Sequence, residues 1–226
     1  MGGTVAEVVE RELGEIAPRR KASWSDTWGG MKLEVWRDRY WRDRKDGFGW
    51  REVEFSISAE GLALAGGRFR EWSGPPVGFL EEFFEEADGL SQADHDTADI
   101  ILSVWGEDRS PFDYGTVVRF ERLAIRATTR SSEIWAIIAR LIEKEFAIRG
   151  SMLILKAFPL EFEGNGAAKG LPKRTRAMVR YYQHRMRVQI VPGPYGVEGW
   201  MWRALRYCPL PPMKPPRAPG RARQRR

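Results

Sequence analysis

The sequence predicts an α+β fold built in three layers, with a mixed central sheet between two sets of helices. Three observations lead there. Residues 117–146 (VVRFERLAIRATTRSSEIWAIIARLIEKEF) read as a buried strand, a short polar loop and an amphipathic helix. A second apolar strand, 151–158 (SMLILKAF), follows that helix at once, so the two strands are expected as parallel near neighbours in a βαβ unit. The first third of the chain alternates apolar and polar residues across short connections, which predicts antiparallel strands rich in tryptophan.

Composition sets the frame. The chain has 226 residues, 42% hydrophobic and 30% charged, enough for one sizeable core. A single cysteine, Cys208, excludes an intramolecular disulfide and argues against a cysteine-based zinc site. The start is acidic and has no long apolar run, unlike a secretory signal. No segment approaches the roughly 18–20 apolar residues of a membrane span. The expectation is a cytoplasmic protein. Its net charge of +6 resides in residues 209–226, a segment with six basic residues and no acid. Residues 1–208 therefore sum to zero and lack the basic excess of a nucleic-acid-binding domain.

Residues 1–30 are expected to form a helix over 4–16, with Val5, Val8, Val9 and Leu13 on one side, and then a linker from Ala17 to Gly30. One domain should span 31–208, with its N-terminal strands over 31–75. It opens with a strand over 31–41, turns at 42–49, and continues with Glu52 to Ser58, whose apolar face is Val53, Phe55 and Ile57. Gly61 turns the chain into a returning strand over 62–69. Six of the ten tryptophans fall between 24 and 72, which reads as a small aromatic core, the alternative being an aromatic cleft.

Pro75 and Pro76 end this segment, and 77–87 predicts a helix with Phe79, Leu80, Phe83 and Phe84 inward. Its glutamates, Glu81, Glu82, Glu85 and Glu86, read as a solvated face. Ser91 suits the N-cap of a helix reaching Trp105, with Asp94 and Asp96 in its first turn. His95 has no second histidine nearby, so no metal is expected. Residues 106–115 read as a loop.

In the strand that follows, Leu123 and Ile125 share a face. Thr128, Thr129, Ser131 and Ser132 can cap the next helix, which turns Ile134, Ile137, Ile138, Leu141 and Ile142 inward and ends at Gly150. A loop of small hydroxyl residues before a helix leaves free N–H groups that favour a phosphate; the alternative is an ordinary connection that binds nothing. After 151–158 come a loop at 163–170, a short helix over 175–184, a strand over 187–191, a wide turn at 192–199 and a last strand over 200–207. The Pro- and Arg-rich tail, 209–226, is expected to be disordered.

From Val117 the order is strand, helix, strand, helix, strand, strand. Leu123-Ala124-Ile125-Arg126-Ala127-Thr128-Thr129-Arg130 keeps the leucine, the β-branched residue and the arginine of the pattern L-x-V-x-P-x-x-R-G-x-G-x-G/A. Residues 178–187 (MVRYYQHRMR) place Tyr181 and Tyr182 where a late helix reads A-x-x-F-Y-x-x-x-G-F, and RVQIVPGPYGVEGWMWRAL has the look of a closing hairpin. On these residues, roughly 95–207 resembles the GNAT superfamily of acetyl-CoA-dependent N-acyltransferases. It departs from the pattern where Ser131, Glu133 and Trp135 replace glycines, Ala127 replaces proline, and Met186 and Arg187 replace G-F.

The resemblance implies acetyl-CoA as co-substrate and no metal. It implies that the parallel pair splays where Leu123, Ala124 and Ile125 meet the strand 151–158, leaving main-chain groups for the pantetheine arm. An N–H near Leu123 or Ala124 would polarise the thioester carbonyl. Arg130 and the N–H groups of Ser131, Ser132 and Glu133 would hold the pyrophosphate. Glu121 would take the amine proton, and Tyr182, or alternatively Tyr181, would protonate the departing thiolate. Plainer roles stand beside these: Glu121 paired with Arg119 and Arg122, Tyr182 as a core aromatic, Arg130 on the surface.

The acceptor would be an amine of a small molecule or a protein. Glu133 and Trp135 favour a rival, a catalytically idle GNAT-like domain whose basic tail contacts acidic protein, a membrane surface or nucleic acid. A third reading, an acyl-homoserine-lactone synthase, rests on R-L-A-I at 122–125. The closing hairpin could pair two subunits into a homodimer.

Overall fold

A computed structural model of the protein describes residues 5–16, 21–42, 48–74, 80–106, 110–126, 131–159, 170–206, 208 and 210. The strands are β1 (Trp24–Trp28), β2 (Met31–Arg37), β3 (Trp41–Arg42), β4 (Gly49–Ala59), β5 (Leu62–Ser73), β6 (Thr116–Ile125), β7 (Gly150–Lys156), β8 (Gln189–Ile190) and β9 (Trp200–Ala204). All nine belong to one mixed sheet, ordered β1-β2-β4-β5-β6-β7-β9-β8, with β3 paired to β4. The tryptophan-rich N-terminal strands are thus continuous with the C-terminal half. The helices are α1 (Val5–Ile16), α2 (Leu80–Asp88), α3 (Gln92–Ile100), α4 (Ser131–Phe146), α5 (Leu171–Met186) and the single turn α6 (Pro194–Val197). A π turn over Ile101–Trp105 carries α3 onward, as the expected helix length required. No described helix is long and apolar enough to cross a membrane.

The central expectation holds: β6, α4 and β7 form a βαβ unit with the strands parallel. All other pairings are antiparallel. Ser91 caps α3, its Oγ accepting from the Asp94 N–H at 3.2 Å.

Several boundaries differ. The stretch expected as a linker contains β1, joined to β2 through Gly29 and Gly30 at φ 56° and 82°. Two positive φ values in a two-residue loop are what a tight hairpin demands, and glycine meets them without strain. The strand expected over 31–41 breaks after Arg37, and the chain rejoins β4 at Trp41 as β3. Strand β5 runs on to Ser73. Helix α4 ends at Phe146, and Gly150 opens β7 instead of closing the helix. The short helix expected from Thr175 begins at Leu171, with Pro172 in its first turn, where a missing N–H costs nothing. The expected helix start at 77–79 and the basic tail, apart from Leu210, lie outside the described residues.

The sheet buries both faces. On one, Val35, Phe55, Phe69, Val118, Phe120 and Leu153 pack against Ile134, Ile138 and Phe146 of α4. On the other, Trp72, Val117, Ile154 and Trp200 pack against Phe83 of α2, Ile100 of α3 and Trp105. Of the six tryptophans between 24 and 72, Trp36 and Trp72 are buried in the core, Trp28 and Trp41 stand at the rim, and Trp24 and Trp28 line a small cavity against α4.

Two buried carboxylates tie the halves of the sheet together. Glu71 on β5 lies 2.6 Å from Nε of Arg51 and accepts from Thr116 Oγ1 at 2.9 Å. Glu145 on α4 meets Arg37 at 2.5 Å, accepts from Trp24 Nε1 at 3.0 Å and faces Arg51 at 3.3 Å. With every charge partnered, removing one member strands the others, which typically costs about 3–5 kcal/mol.

The β5–β6 register slips once. Arg68 faces Arg122 while Phe69 faces Phe120, so Glu121 is the extra residue of a bulge. The slip shifts the inward phase of β6. Val118 and Phe120 before it, and Leu123 and Ile125 after it, all pack on the α4 side.

Gly67 sits opposite this bulge. A Cβ there would lie 2.5 Å from the Arg122 carbonyl oxygen and 2.6 Å from the Phe55 ring. Gly67→Ala should cost about 1–3 kcal/mol, read as a lowered urea midpoint at unchanged slope. Stability equal to wild type would show that the bulge does not need this close approach.

Candidate functional site

Strand β6 has neighbours on both sides only as far as Phe120, whose pairing with Leu155 is the last between β6 and β7. Beyond it β6 follows β5 to Ile125, while β7 follows β9. The parting begins at the Glu121 bulge and opens a cleft through the sheet. Phe120, Glu121, Arg122, Lys156 and Phe158 line it on both faces. Toward α5 it is narrow, about 40 Å³, and adds Leu123, Met178 and Tyr182. Toward α3 it widens to about 340 Å³ and adds Arg70, Ser91, Ala93, Arg119 and Trp200.

Backbone direction follows from one bond. The Arg126 N–H donates to the Leu64 carbonyl on β5 at 2.9 Å. Successive residues of a strand point their N–H and C=O groups to alternate sides, so those of Ile125 and Leu123 face away from β5 and into the opening. The groups of Ala124 turn instead to Gly66. Of the three residues expected at the opening, Leu123 and Ile125 therefore present their main chain to it, and Ala124 supports them from behind.

Glu121 is held at the cleft wall by two guanidiniums. Arg119 bonds its Oε1, and Nε of Arg70 lies 3.4 Å from the same atom. Arg119 is also 2.9 Å from Asp94 Oδ1, Arg70 bonds Asp94 Oδ2, and Arg70 reaches Glu52 at 2.7 Å. The expected pairing of Glu121 with Arg119 is present, but Arg122 points elsewhere and binds Glu12 of α1 at 2.8 Å. The bulge explains this: as the extra residue, Glu121 stays on the Arg119 face while Arg122 takes up the pairing with β5.

Tyr182 borders the narrow end of the cleft. Burial holds its phenol proton far above the usual tyrosine range, with a smaller contribution from Tyr181. It remains a neutral donor at physiological pH. Tyr181 does not line the cleft; its hydroxyl accepts from Trp135 Nε1 at 2.6 Å. The Trp135 ring stands edge-on to both tyrosines and is buried in the core beneath α5, so it does not fill the opening. Ser131, Ser132 and Glu133 form the first turn of α4. Thr128, Thr129 and Arg130 lie outside the described residues.

Other candidates fall away from the cleft. Burial pushes the Cys208 thiol up to about 12, which disfavours a thiolate nucleophile. His95 packs edge-on against Phe84. Among the described residues, no group of three or more potential ligands gathers for a metal. The residues that sequence reasoning missed are Arg70, Asp94, Arg119 as a cleft residue, and Lys156. For Arg70 and Arg119 the signal was charge at period two inside otherwise buried strands, beside Arg68 and Glu121; Asp94, on α3, and Lys156, the last residue of β7, carried no such signal.

Tyr40, like Tyr182, is held neutral mainly by burial. For both, the folded pKa exceeds the unfolded value near 10, so their contribution is intact below about pH 10 and is lost as pH rises past it. Alkaline titration followed by circular dichroism and tyrosinate absorbance should show these two phenols ionising only as the fold is lost. A complete tyrosinate signal from a folded protein would contradict their burial.

Compared with models of known protein families, with curated proteins and with solved structures, the chain matches none.

Proposed function

We propose that the protein is an acyl-CoA-dependent N-acyltransferase, with acetyl-CoA as donor and an amine as acceptor. One observation carries this reading: the parallel strands β6 and β7 part after Phe120, and the main-chain groups of Leu123 and Ile125 turn away from β5 toward the gap, where no described strand pairs with them. A pantetheine arm is amide-rich and extended, and it would pair with such an edge as a further strand does. The GNAT resemblance of roughly residues 95–207 supports the same reading.

The residues divide the work between the two faces. On the α5 side, an outward N–H of Leu123 or Ile125 would polarise the thioester carbonyl where negative charge develops. Tyr182, neutral at physiological pH, would give its proton to sulfur as the carbon–sulfur bond breaks. On the α3 side, Glu121 would orient the amine and take its proton, directly or through water, as the new carbon–nitrogen bond forms. Since Arg70 and Arg119 engage Oε1, Oε2 is the oxygen to receive that proton. Arg130 and the first turn of α4 are proposed to hold the pyrophosphate.

A second reading, a binding domain that has kept the scaffold and lost the chemistry, is favoured by that same double engagement of Glu121. Calorimetry separates the two. Saturable micromolar binding of acetyl-CoA is expected, with Tyr182→Phe binding it within about twofold while kcat falls about 100-fold. No heat of binding at millimolar acetyl-CoA would remove the transferase reading and leave the binding domain.

A further inference from the structure

We infer that the acceptor is a small amine that carries a carboxylate beside the amino group, as a free α-amino acid does. This rests on the acyltransferase reading and concerns the α3 side of the cleft.

Four cations and one carboxylate line that side, and most of the cations are already matched. Arg70 is held by Glu52 and Asp94, and Arg122 binds Glu12. Arg119 differs. Its side chain is only 5% exposed, and both its acids, Asp94 and Glu121, meet the same nitrogen, Nη2. Among the described residues its Nε and Nη1 are both buried with no hydrogen-bond partner, where Arg70 leaves only Nε so. A guanidinium has five N–H donors in a rigid fork, and leaving desolvated donors unpaired costs about 1–3 kcal/mol each. Such a group on the wall of a cavity is what a site for a carboxylate looks like before the carboxylate arrives.

Lys156 stands across the opening on β7. Its ammonium lies 3.5 Å from Asp96, 3.4 Å from Glu198 and 5.2 Å from the centre of the Trp200 ring, which itself lines the cleft. The cleft thus has a negative pole at Glu121 and positive poles at Arg119 and Lys156. Arg119 Nη2 bonds Glu121 Oε1, so the acid and the guanidinium sit side by side on the cleft wall. That adjacency suits an α-amino acid, whose nitrogen and carboxylate are also neighbours, with the nitrogen at Glu121 and the carboxylate toward the two cations. Phe120, Phe158 and Trp200 supply apolar walls for a side chain. At about 340 Å³ the space lies at the low end of the roughly 300–1,000 Å³ of small-molecule sites, which favours a free amino acid over a protein segment.

The test uses the full chain, acetyl-CoA and matched acceptors that differ only in the carboxylate. Suitable sets are L-phenylalanine with phenethylamine and L-phenylalaninamide, and L-leucine with 3-methylbutylamine and L-leucinamide, within a panel of the common amino acids. Coenzyme A release gives kcat/KM. In at least one set the acid should be preferred by about tenfold or more. Lys156→Gln should cut that preference to about threefold or less by raising KM for the acid. Arg119→Gln should do the same where circular dichroism shows it folded. Equal use of the acid and its partners, preference for the amide or amine, or transfer to no amine while acetyl-CoA still binds would overturn this inference alone. Failure to bind acetyl-CoA would take the transferase reading with it.

Discussion

Strand β6 is paired on both edges for half its length and on one edge for the rest. Buried main-chain groups demand partners, and sheets normally supply them without interruption. Here the supply stops at Phe120, because β7 turns with β9 while β6 is bent by the Glu121 bulge toward β5. A bulge adds one residue to one strand, increases local twist and re-aims side chains. In β6 it does all three at the point where the neighbour leaves. The cleft is therefore a consequence of register, fixed by the backbone before any side chain is considered.

A gap of this kind would close by slippage if its walls were free to move, and the packing on each side prevents that. Helix α4 presses on one face through Ile134, Ile138 and Phe146, and α2 and α3 press on the other through Phe83 and Ile100. The N-terminal strands act as a buttress. Arg51 joins Glu71 on β5 to Glu145 on α4, and Arg37 and Trp24 reach the same glutamate from β2 and β1. Buried ion pairs give little net stability, but they penalise any arrangement that separates them. The tryptophan-rich third thus helps to set where α4 sits over β6.

What was legible in the sequence was local. The βαβ unit, the Ser91 cap and the alternation of Val53, Phe55 and Ile57 depend on neighbours a few residues apart, and these readings held. The bulge was not legible: both faces of β6 are buried, so Val117 and Val118 read alike, and the shift of the α4-facing residues from 118 and 120 to 123 and 125 shows only in the assembled sheet. Strand β1 was hidden because WSDTW is short and polar, and its one aromatic face, Trp24 and Trp28, is broken by Asp26; it is an edge strand held by its hairpin and by Trp24. The charged wall was hidden for another reason. Arg70, Asp94, Arg119 and Lys156 come from four elements, and only the assembled sheet brings them to one cavity. Residues 127–130, where the GNAT resemblance places a pyrophosphate-binding loop, lie outside the described residues.

The position of Glu121 joins the backbone argument to the chemical one. In an uninterrupted strand, the residue after Phe120 would pair squarely with β5 and its neighbours would alternate. As the bulge residue it is out of that alternation, and Arg70 from β5 and Arg119 from β6 reach the same oxygen. Both guanidiniums engage Oε1, so in the proposed reaction Oε2 would be the oxygen that takes the proton. That crowding also draws Arg119 so far toward its acids that two of its nitrogens are left without acceptors. One extra residue in one strand thus places an acid and an unsatisfied cation side by side at the mouth of the same opening. An amine that brought its own carboxylate would satisfy both, and a simple amine would leave the guanidinium bare.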